Sequence, residues 1–461
     1  GRISMSTLAG LSNWHKVPEL RKRIFFTLSM LAVYRVGVFV TAPGVDRVAM
    51  KEFISSSGGL LGFINLFSGG ALSQMSIFAL GIMPYISASI IMQLMTSVIP
   101  TLEQLKKEGE QGRKVINQYT RYGTVILGTA QAYGIAIGLN SAEGMVLNPG
   151  WFFVLTTVVT LVGGTMFLMW LGEQITARGI GNGISLIIFA GIVAALPGAL
   201  AQLLDAGATG SISTLTMLGV LVAIVALIAF IVFIERAQRR LLIQYPKRQV
   251  GNKMFQGDSS HLPLKLNTAG VIPPIFASSL LLLPATITGF QAGTEATGWV
   301  AAVNAFLGRG QPGYLLFYGG MIAFFAFFYT AIVFNPKETA DNLKQHGGFI
   351  PGIRPGERTA EYIDYVLTRI TVAGAIYLVF VCLLPEMFLT GLGISVFLGG
   401  TSLLIVVSVT MDTVQQVQSH LFAQQYEGLI QKSKLRGAKA GARGGAPGGG
   451  RGGRKTGRRK K

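Results

Sequence analysis

Charge is scarce in this sequence. Only 13% of its 461 residues are charged and 50% are hydrophobic, whereas a soluble protein carries roughly a quarter charged residues. The length alone would suggest about three soluble domains, but the long uncharged runs indicate one polytopic membrane domain instead. The composition therefore argues against a soluble enzyme.

Residues that build metal and cofactor sites are also few. The single cysteine, Cys382, excludes a disulfide framework and a cysteine-based metal cluster, and the four histidines lie far apart, without HxxxH or HxxEH spacing. No GxxxxGK[ST] motif occurs, so the chain lacks the P-loop of an ATP-driven motor. We expect no catalytic site, no metal and no cofactor.

Ten apolar stretches are long enough to cross about 30 Å of hydrocarbon. They are Ile24–Val40, Ser76–Val98, Tyr122–Leu139, Trp151–Leu171, Ile184–Leu204, Leu215–Ile234, Ala269–Phe290, Tyr314–Phe334, Val366–Leu384 and Ile394–Val409. The first and last are short and contain glycine, so their limits are the least sharply defined. Basic residues precede the first stretch, but no small-residue cleavage site follows it, and we expect no cleavable signal.

Lysine and arginine are distributed unevenly between alternate loops. Of the 39, 34 lie in the two termini and in the loops after spans 2, 4, 6 and 8, and only 3 lie in the other five loops. Loops rich in Lys and Arg stay in the cytoplasm, so both termini are predicted to be cytoplasmic. The alternation also supports the number of spans, because one missed helix would scramble it.

These features divide the chain into four predicted parts. They are a cytoplasmic N-terminal segment at 1–23, a first five-span half at 24–204, a second five-span half at 205–431 with cytoplasmic loops 235–267 and 335–364, and a basic tail at 432–461. The Gly/Arg/Lys tail has 12 basic and no acidic residues, and with so few apolar side chains it is predicted to be disordered. It either contacts RNA or anionic lipid or acts only as a solubilising extension.

A glycine-rich apolar segment separates the first two spans. It reads GGLLGFINLFSGGAL over residues 58–72 and is too short to cross the bilayer. Glycine at this density lets one or two helical turns be hinged at both ends. The segment is therefore either an interfacial surface helix or a re-entrant piece inside a protein-lined cavity.

Spans 2 and 7 share a short sequence. Gly81–Ser89 and Gly270–Ser278, 189 residues apart, match without gaps at five of nine positions. Each segment lies in the second span of a five-span half, and a unit with an odd number of spans must be inverted between its two copies. The alternative is chance similarity between two apolar helices that contain proline.

The middles of the spans contain no carboxylate. Glu173 and Asp412 lie at span ends, and Arg35 can extend toward an interface. Ion and proton carriers place ionisable side chains near mid-span, so the sequence disfavours a carrier. Isoleucines at i, i+4 spacing share one helix face, either in ordinary packing or along a passage. These pairs are Ile82/Ile86 and Ile184/Ile188.

Seven motifs give the chain its resemblance to a known family. They are FSGGALS at 67–73, ALGIMPYISASI at 79–90, GIGNGIS at 179–185, HLPLK at 261–265, FNPKETADNL at 334–343, PGIRPG at 351–356 and GGTSLLIVV at 399–407. In this order, and over roughly residues 15–432, the chain resembles the SecY/Sec61 alpha family, whose members are the large subunits of protein-conducting channels.

The resemblance implies an all-α polytopic membrane protein. It would have ten transmembrane helices in two inverted five-helix halves around a central hourglass pore, with a short re-entrant plug helix over 58–72, and would open toward lipid between spans 2 and 7. The implied pore ring is Ile82, Ile86, Ile184, Ile188, Ile275 and Ile405. The implied plug residues are Phe63, Ile64, Asn65, Leu66, Phe67, Ser68, Gly69 and Gly70.

Two further sets of residues complete the predicted site. Polar contacts of the lateral gate would be Ser87, Gln93, Gln131 and Asn182, although each is also readable as an ordinary interhelical hydrogen bonder. By resemblance, the basic loops would dock the ribosome or the SecA motor through Arg239, Arg240, Lys247, Arg248 and Arg354. Arg354 is favoured because the surrounding Pro-Gly pairs limit the motion of its loop.

The implied function is passage of unfolded secretory proteins across the bacterial cytoplasmic (inner) membrane and lateral release of membrane helices, driven by SecA or the translating ribosome. Implied partners are the SecE and SecG subunits, SecA, the ribosome, SecD/SecF, YidC, signal sequences, nascent chains and membrane lipid. A secondary transporter could share ten spans and an inverted repeat, but it would need coordinating side chains at mid-membrane. A membrane-embedded enzyme would need a His/carboxylate or Ser/Lys cluster within the spans, and the sequence has none.

Overall fold

The protein is seen here as a computed structural model, which describes residues 14–57, 65, 68–141, 144, 146–210, 213–255, 257–291, 302, 312–391 and 400–443. These residues are mostly helical. They form two compact units, one of Phe26–Asp412 and one from the described residues of 1–25 and 413–461.

Among the described residues, the first part of the chain contains eight helices after a 3₁₀ turn at Trp14–Lys16. They are α1 Pro18–Val38, α2 Arg47–Ser57, α3 Ala71–Gln74, α4 Met83–Val98, α5 Pro100–Lys107, α6 Glu110–Ser141, α7 Trp151–Arg178 and α8 Gly183–Ala208. The second part contains α9 Thr214–Arg236, strands β1 Gln238–Gln244, β2 Arg248–Val250, β3 Lys253–Phe255 and β4 Ser259–Lys265, and then α10 Ile272–Gln291, α11 Pro312–Val333, α12 Pro336–Gln345, α13 Glu357–Gly391 and α14 Gly400–Arg443.

Each predicted span overlaps one described helix, and these helices are α1, α4, α6, α7, α8, α9, α10, α11, α13 and α14. Among the described residues, six helices are long and apolar enough by themselves to cross a membrane, or seven if α4 and α5, bent by 99°, count as one span. Span 2 was predicted to begin at Ser76, but the helix begins at Met83 because a turn precedes it. Of the last predicted span, 394–399 lie outside the described residues.

The last helix extends beyond the membrane span. Helix α14 continues to Arg443, so the prediction of disorder from residue 432 is wrong for 432–443. Extending a helix that already exists adds a hydrogen bond per residue without a new nucleus, which outweighs the glycines of this stretch. Residues 444–461 of the predicted tail lie outside the described residues.

The loop between α9 and α10 contains β structure that the sequence reading did not predict. Strands β1 and β4 pair antiparallel, with Leu241 opposite Leu262, and β2 pairs with β3. Leu241 and Ile243 are buried while their neighbours along β1 are exposed, the two-residue alternation of a half-buried strand. That alternation was the available signal, and the high positive charge of the loop hid it.

A large apolar core lies within the Phe26–Asp412 unit. In it α4 packs against α6 and α7, while α10 packs against α11 and also contacts α4 and α6. The contact between α4 and α10, which we call the seam, joins helices from the first and second parts of the chain. It is the place where the lateral opening was predicted.

Candidate pore, seam and docking surface

The sequence repeat in spans 2 and 7 is also a repeat of backbone structure. Gly81 and Gly270 both have a left-handed backbone, with φ of 59° and 66°. The N–H of Gly81 donates to the Phe78 carbonyl at 2.8 Å, and that of Gly270 donates to the Asn267 carbonyl at 3.3 Å. Helices α4 and α10 then begin two residues later. Because glycine adopts this conformation without steric cost, its presence at both positions is explained.

Different groups support the two turns. A Cβ atom at Gly81 would lie 3.5 Å from the Ser68 Cα, so the predicted plug segment packs on the first turn. At the second turn, Asn267 Nδ2 donates to Glu235 Oε1 at 2.9 Å and to the Gly270 carbonyl at 3.2 Å. Tyr377 also donates to Glu235 Oε1, at 3.3 Å. The second turn is therefore fixed to the end of α9.

The six isoleucines of the predicted ring all belong to the same apolar cluster. Ile184 is half-buried and the other five are buried. They come from α8, α10, α14 and the beginning of α4, four segments that are distant in sequence. Shared burial agrees with a common constriction and equally with ordinary core packing, so their role as a ring stays a prediction.

Only part of the predicted plug can be located. Phe63, Ile64, Leu66 and Phe67 lie outside the described residues. Within the part that is described, the Asn65 carbonyl accepts from the Gly70 N–H at 2.8 Å, and Asn65 Oδ1 accepts from the Ser73 N–H at 3.0 Å. Residues 68–70, which we call the plug base, thus form a hydrogen-bonded turn that leads into α3.

The four predicted gate residues differ in their surroundings. Ser87 Oγ and Gln93 Oε1 are buried on α4 and have no hydrogen-bond partner among the described residues. Gln131 is buried on α6. Asn182 caps α8, where its Oδ1 accepts from the Ile184 N–H at 3.2 Å, and this bond favours a structural role. At the seam itself, Ser279 Oγ of α10 lies 3.4 Å from Met83 Sδ of α4, a contact that the sequence reading missed.

A buried polar network connects α10, α11 and α14. Tyr318 Oη is hydrogen bonded to Ser278 Oγ at 3.1 Å and to Thr401 Oγ1 at 3.0 Å. Sequence spacing offered no signal for it, because the three residues are far apart along the chain. In the part of the chain that the structure describes, no group of three or more His, Cys, Asp or Glu side chains is placed to hold a metal ion.

The predicted docking residues lie on two loops that pack together. Arg239, Arg240, Lys247 and Arg354 are exposed, and the Arg248 backbone begins β2. Gln244 of β1 exchanges two backbone hydrogen bonds with Phe349, at 2.9 and 3.0 Å. Apolar residues of β1 and β4 share a cluster with Ile350 and with α13. The basic residues of both loops are therefore carried by one packed structure.

The Asp412 carboxyl lies near this packed structure, close enough to interact with Lys265. Asp412 lies beyond the predicted end of the last span, where burial raises the pKa of its carboxyl and Lys265 opposes that shift.

Comparison with known proteins identifies the family. The family model described as SecY matches residues 76–414. The chain is 54% identical to the protein translocase subunit SecY of Escherichia coli strain K12 over 91% of this chain and 96% of that protein. It is 53% identical to the Vibrio cholerae SecY over 95% of this chain and 98% of the relative.

Solved structures show the same fold at low sequence identity. "The structure of a protein conducting channel" matches with a TM-score of 0.63 and 18% identity, over 88% of this chain and 95% of that one. Canine Sec61, from a ribosome-channel complex of the endoplasmic reticulum, matches with a TM-score of 0.60, 18% identity and the same coverage. The predicted architecture is therefore confirmed as the fold of this group, and the chain belongs to the SecY family.

Proposed function

We propose that the chain is the channel-forming subunit of a protein translocase in the bacterial cytoplasmic membrane, with both termini in the cytoplasm. It passes unfolded polypeptides across the bilayer and releases apolar helices into lipid through the seam. The observation that carries the proposal is that six isoleucines from four separate segments, five of them buried and Ile184 half-buried, belong to one apolar cluster. The membership of the chain in the SecY family supports it.

An isoleucine constriction suits a channel for unfolded chains. A translocating polypeptide presents every type of side chain, so the pore wall must offer no specific hydrogen bond on which it could stall. A narrow apolar ring also expels water when it is empty and blocks the passage of ions. The six isoleucines would close the pore between substrates and make way around a moving chain.

The seam provides the lateral exit. Helices α4 and α10 meet there through apolar side chains and the weak contact between Ser279 and Met83. An apolar segment of the substrate gains about 0.8 kcal/mol for each CH₂ group that moves from water to lipid. A signal sequence can therefore partition through a seam that few polar bonds hold closed.

Replacing one ring residue tests the channel. We expect Ile405→Asn to raise the ion conductance of the resting channel several-fold, because an amide holds water in the constriction. Conductance across planar bilayers measures it. The matched control is Ile322→Asn, which changes an equally buried isoleucine of the same cluster on α11 outside the predicted ring. Equal conductance of the two variants would reduce the ring to ordinary core packing.

We further propose that the packed basic loops are the cytoplasmic docking surface for the ribosome or the SecA motor. Arg354 is exposed between two turns, and its carbonyl accepts from Thr359 Oγ1 at 2.8 Å, which fixes the loop that presents it. Solved relatives bound to ribosomes support the assignment. The roles of SecE, SecG, SecD/SecF and YidC as partners stay predictions, as does contact of the tail with RNA or anionic lipid.

A charge reversal at Arg354 tests docking. We expect Arg354→Glu to weaken ribosome binding and to lower SecA-dependent export. The slope of log binding constant against log salt concentration should become shallower by about one, as for the loss of one phosphate contact. The matched control is Arg113→Glu, an exposed arginine near the beginning of α6 and outside the two basic loops. The docking role fails if Arg354→Glu binds ribosomes and exports as well as that control.

A further inference from the structure

Two neighbouring side chains of α1 hold the plug base. Tyr34 Oη donates to the Ser68 carbonyl at 2.9 Å, and Arg35 Nη1 donates to the Gly69 carbonyl at 2.8 Å. The donors are consecutive on one helix, and the acceptors are consecutive along the plug base. Thirty-four residues separate each donor from its acceptor, so these bonds join two separate segments of the chain.

Helix α8 confines the plug base from another direction. A Cβ atom on Gly69 would lie 2.9 Å from the Gly191 Cα and 2.8 Å from Tyr34 Oη. A Cβ atom on Gly191 would lie 3.1 Å from the Gly69 Cα and 3.3 Å from the same hydroxyl. The two backbones thus meet directly: a side chain at Gly69 would force a neighbour to shift, and one at Gly191 would make an unusually tight contact. Gly69 also has a φ of 72°, which favours glycine a second time.

The two donors are themselves constrained. Tyr34 is 1% exposed, and its ring stacks on Phe78 with centroids 6.1 Å apart. Arg35 is half-buried within the first predicted span, where a guanidinium is costly unless it finds polar partners. The Gly69 carbonyl supplies such a partner, and Phe39 adds a cation–π contact with its centroid 5.9 Å away. The charged group of Arg35 therefore has a hydrogen-bond acceptor on the plug base and an aromatic contact just beyond the end of its own helix.

We propose that Tyr34 and Arg35 form a latch that fixes the plug base to α1 and thereby stabilises the closed channel. The latch would open only when the plug base itself moves. This inference deepens the proposed channel function and rests on it. The latch itself is a local structure, so it can be measured without any transport assay.

Hydrogen exchange of the plug base measures the latch directly. The amides of Gly70 and Ser73 bond to Asn65 and exchange when the base opens. We expect Tyr34→Phe, which removes only the hydroxyl, to speed their exchange about fivefold, since one hydrogen bond has a net value of about 1 kcal/mol. Arg35→Gln should have a larger effect, of about tenfold or more, because its bond is charged.

Helix α8 offers a steric test with a matched control. Gly191→Ala places a methyl group against Gly69 and the Tyr34 hydroxyl, and it should speed the same exchange. Gly198→Ala lies on the same helix with open space around the new methyl group and should not. Tyr133→Phe, at an exposed tyrosine of α6, controls for the loss of a hydroxyl. Unchanged exchange in Tyr34→Phe and Gly191→Ala would overturn the latch.

Conductance separates failure of the latch from failure of the channel. With Ile405→Asn measured in the same bilayers, all three latch variants should raise the resting conductance, whereas Gly198→Ala and Tyr133→Phe should not. If Ile405→Asn conducts and the latch variants do not, the latch is refuted and the channel stands. If Ile405→Asn does not raise the resting conductance either, the proposed channel function fails, whatever the exchange rates show.

Discussion

The turn before α4 and the turn before α10 have the same backbone and different supports. Both carry a left-handed glycine, and in both a residue three positions earlier accepts the glycine N–H. The plug base packs against the first turn. The second is bonded to Glu235 through Asn267 and continues from β4, in the loop that carries the basic residues.

The same turn therefore has different neighbours in the two halves of the repeat. Under the proposed orientation the two turns lie on opposite sides of the bilayer, because each half has an odd number of spans. The glycine turn fixes how each seam helix begins, and the neighbouring segments then specialise each end. One seam helix begins beside the plug base, and the other begins after the loop that carries the proposed docking residues.

Asn267→Asp removes the hydrogen bonds that support the second turn, and among the stability variants it should have the largest effect. The amide donates to a carboxylate and to a carbonyl, whereas an aspartate there would face both with a negative charge. Losing a hydrogen bond to a charged group costs about 1.5 to 3 kcal/mol, and the repulsion between the two carboxylates adds to this cost. We expect the midpoint of thermal unfolding in detergent to fall strongly. The amide exchange rates should rise most in the seam helices α4 and α10.

An asparagine elsewhere controls for the chemical change. Asn335 is exposed and caps α12 by accepting from the Lys337 and Glu338 N–H groups. Because Asp is as good a cap as Asn, Asn335→Asp should leave the unfolding midpoint almost unchanged. If the two variants unfold at the same temperature, Asn267 does not anchor the second turn, and the contrast between the supports disappears.

The spans and the sequence repeat could be predicted because both depend on local sequence. Uninterrupted apolar runs specify membrane helices, but the glycine turns before α4 and α10 were placed inside the predicted spans. The helical end of α14 was missed for a physical reason. Composition predicts whether an isolated segment folds, and this one extends an existing helix.

The side-chain pairings could not be predicted. Tyr34 with Ser68, and Glu235 with Asn267, join residues more than thirty positions apart, and tertiary packing alone brings them together. Arg35 was visible in the sequence as a polar exception within a span, but nothing along the chain indicated its acceptor. The identities of the ring residues came from the family resemblance, since isoleucine in a membrane helix carries no signal of its own.

The hydroxyl groups of the two seam helices give a second, smaller contrast. Ser278 Oγ of α10 donates to the Pro274 carbonyl at 2.7 Å and is bonded to Tyr318. Ser87 Oγ of α4 is equally buried but has no partner among the described residues. We expect Ser278→Ala to lower the free energy of unfolding by about 1 to 2 kcal/mol, since it leaves Tyr318 with one bond fewer.

Ser87→Ala should have the opposite sign. Removing a buried hydroxyl that makes no bond relieves a desolvation cost, so the variant should be unchanged or more stable by up to about 1 kcal/mol. Unfolding midpoints of the two alanine variants, measured in the same detergent, provide the comparison. Destabilisation of Ser87→Ala as large as that of Ser278→Ala would mean that Ser87 has a bonding partner in the closed state. The first seam helix would then be held by polar bonds as firmly as the second.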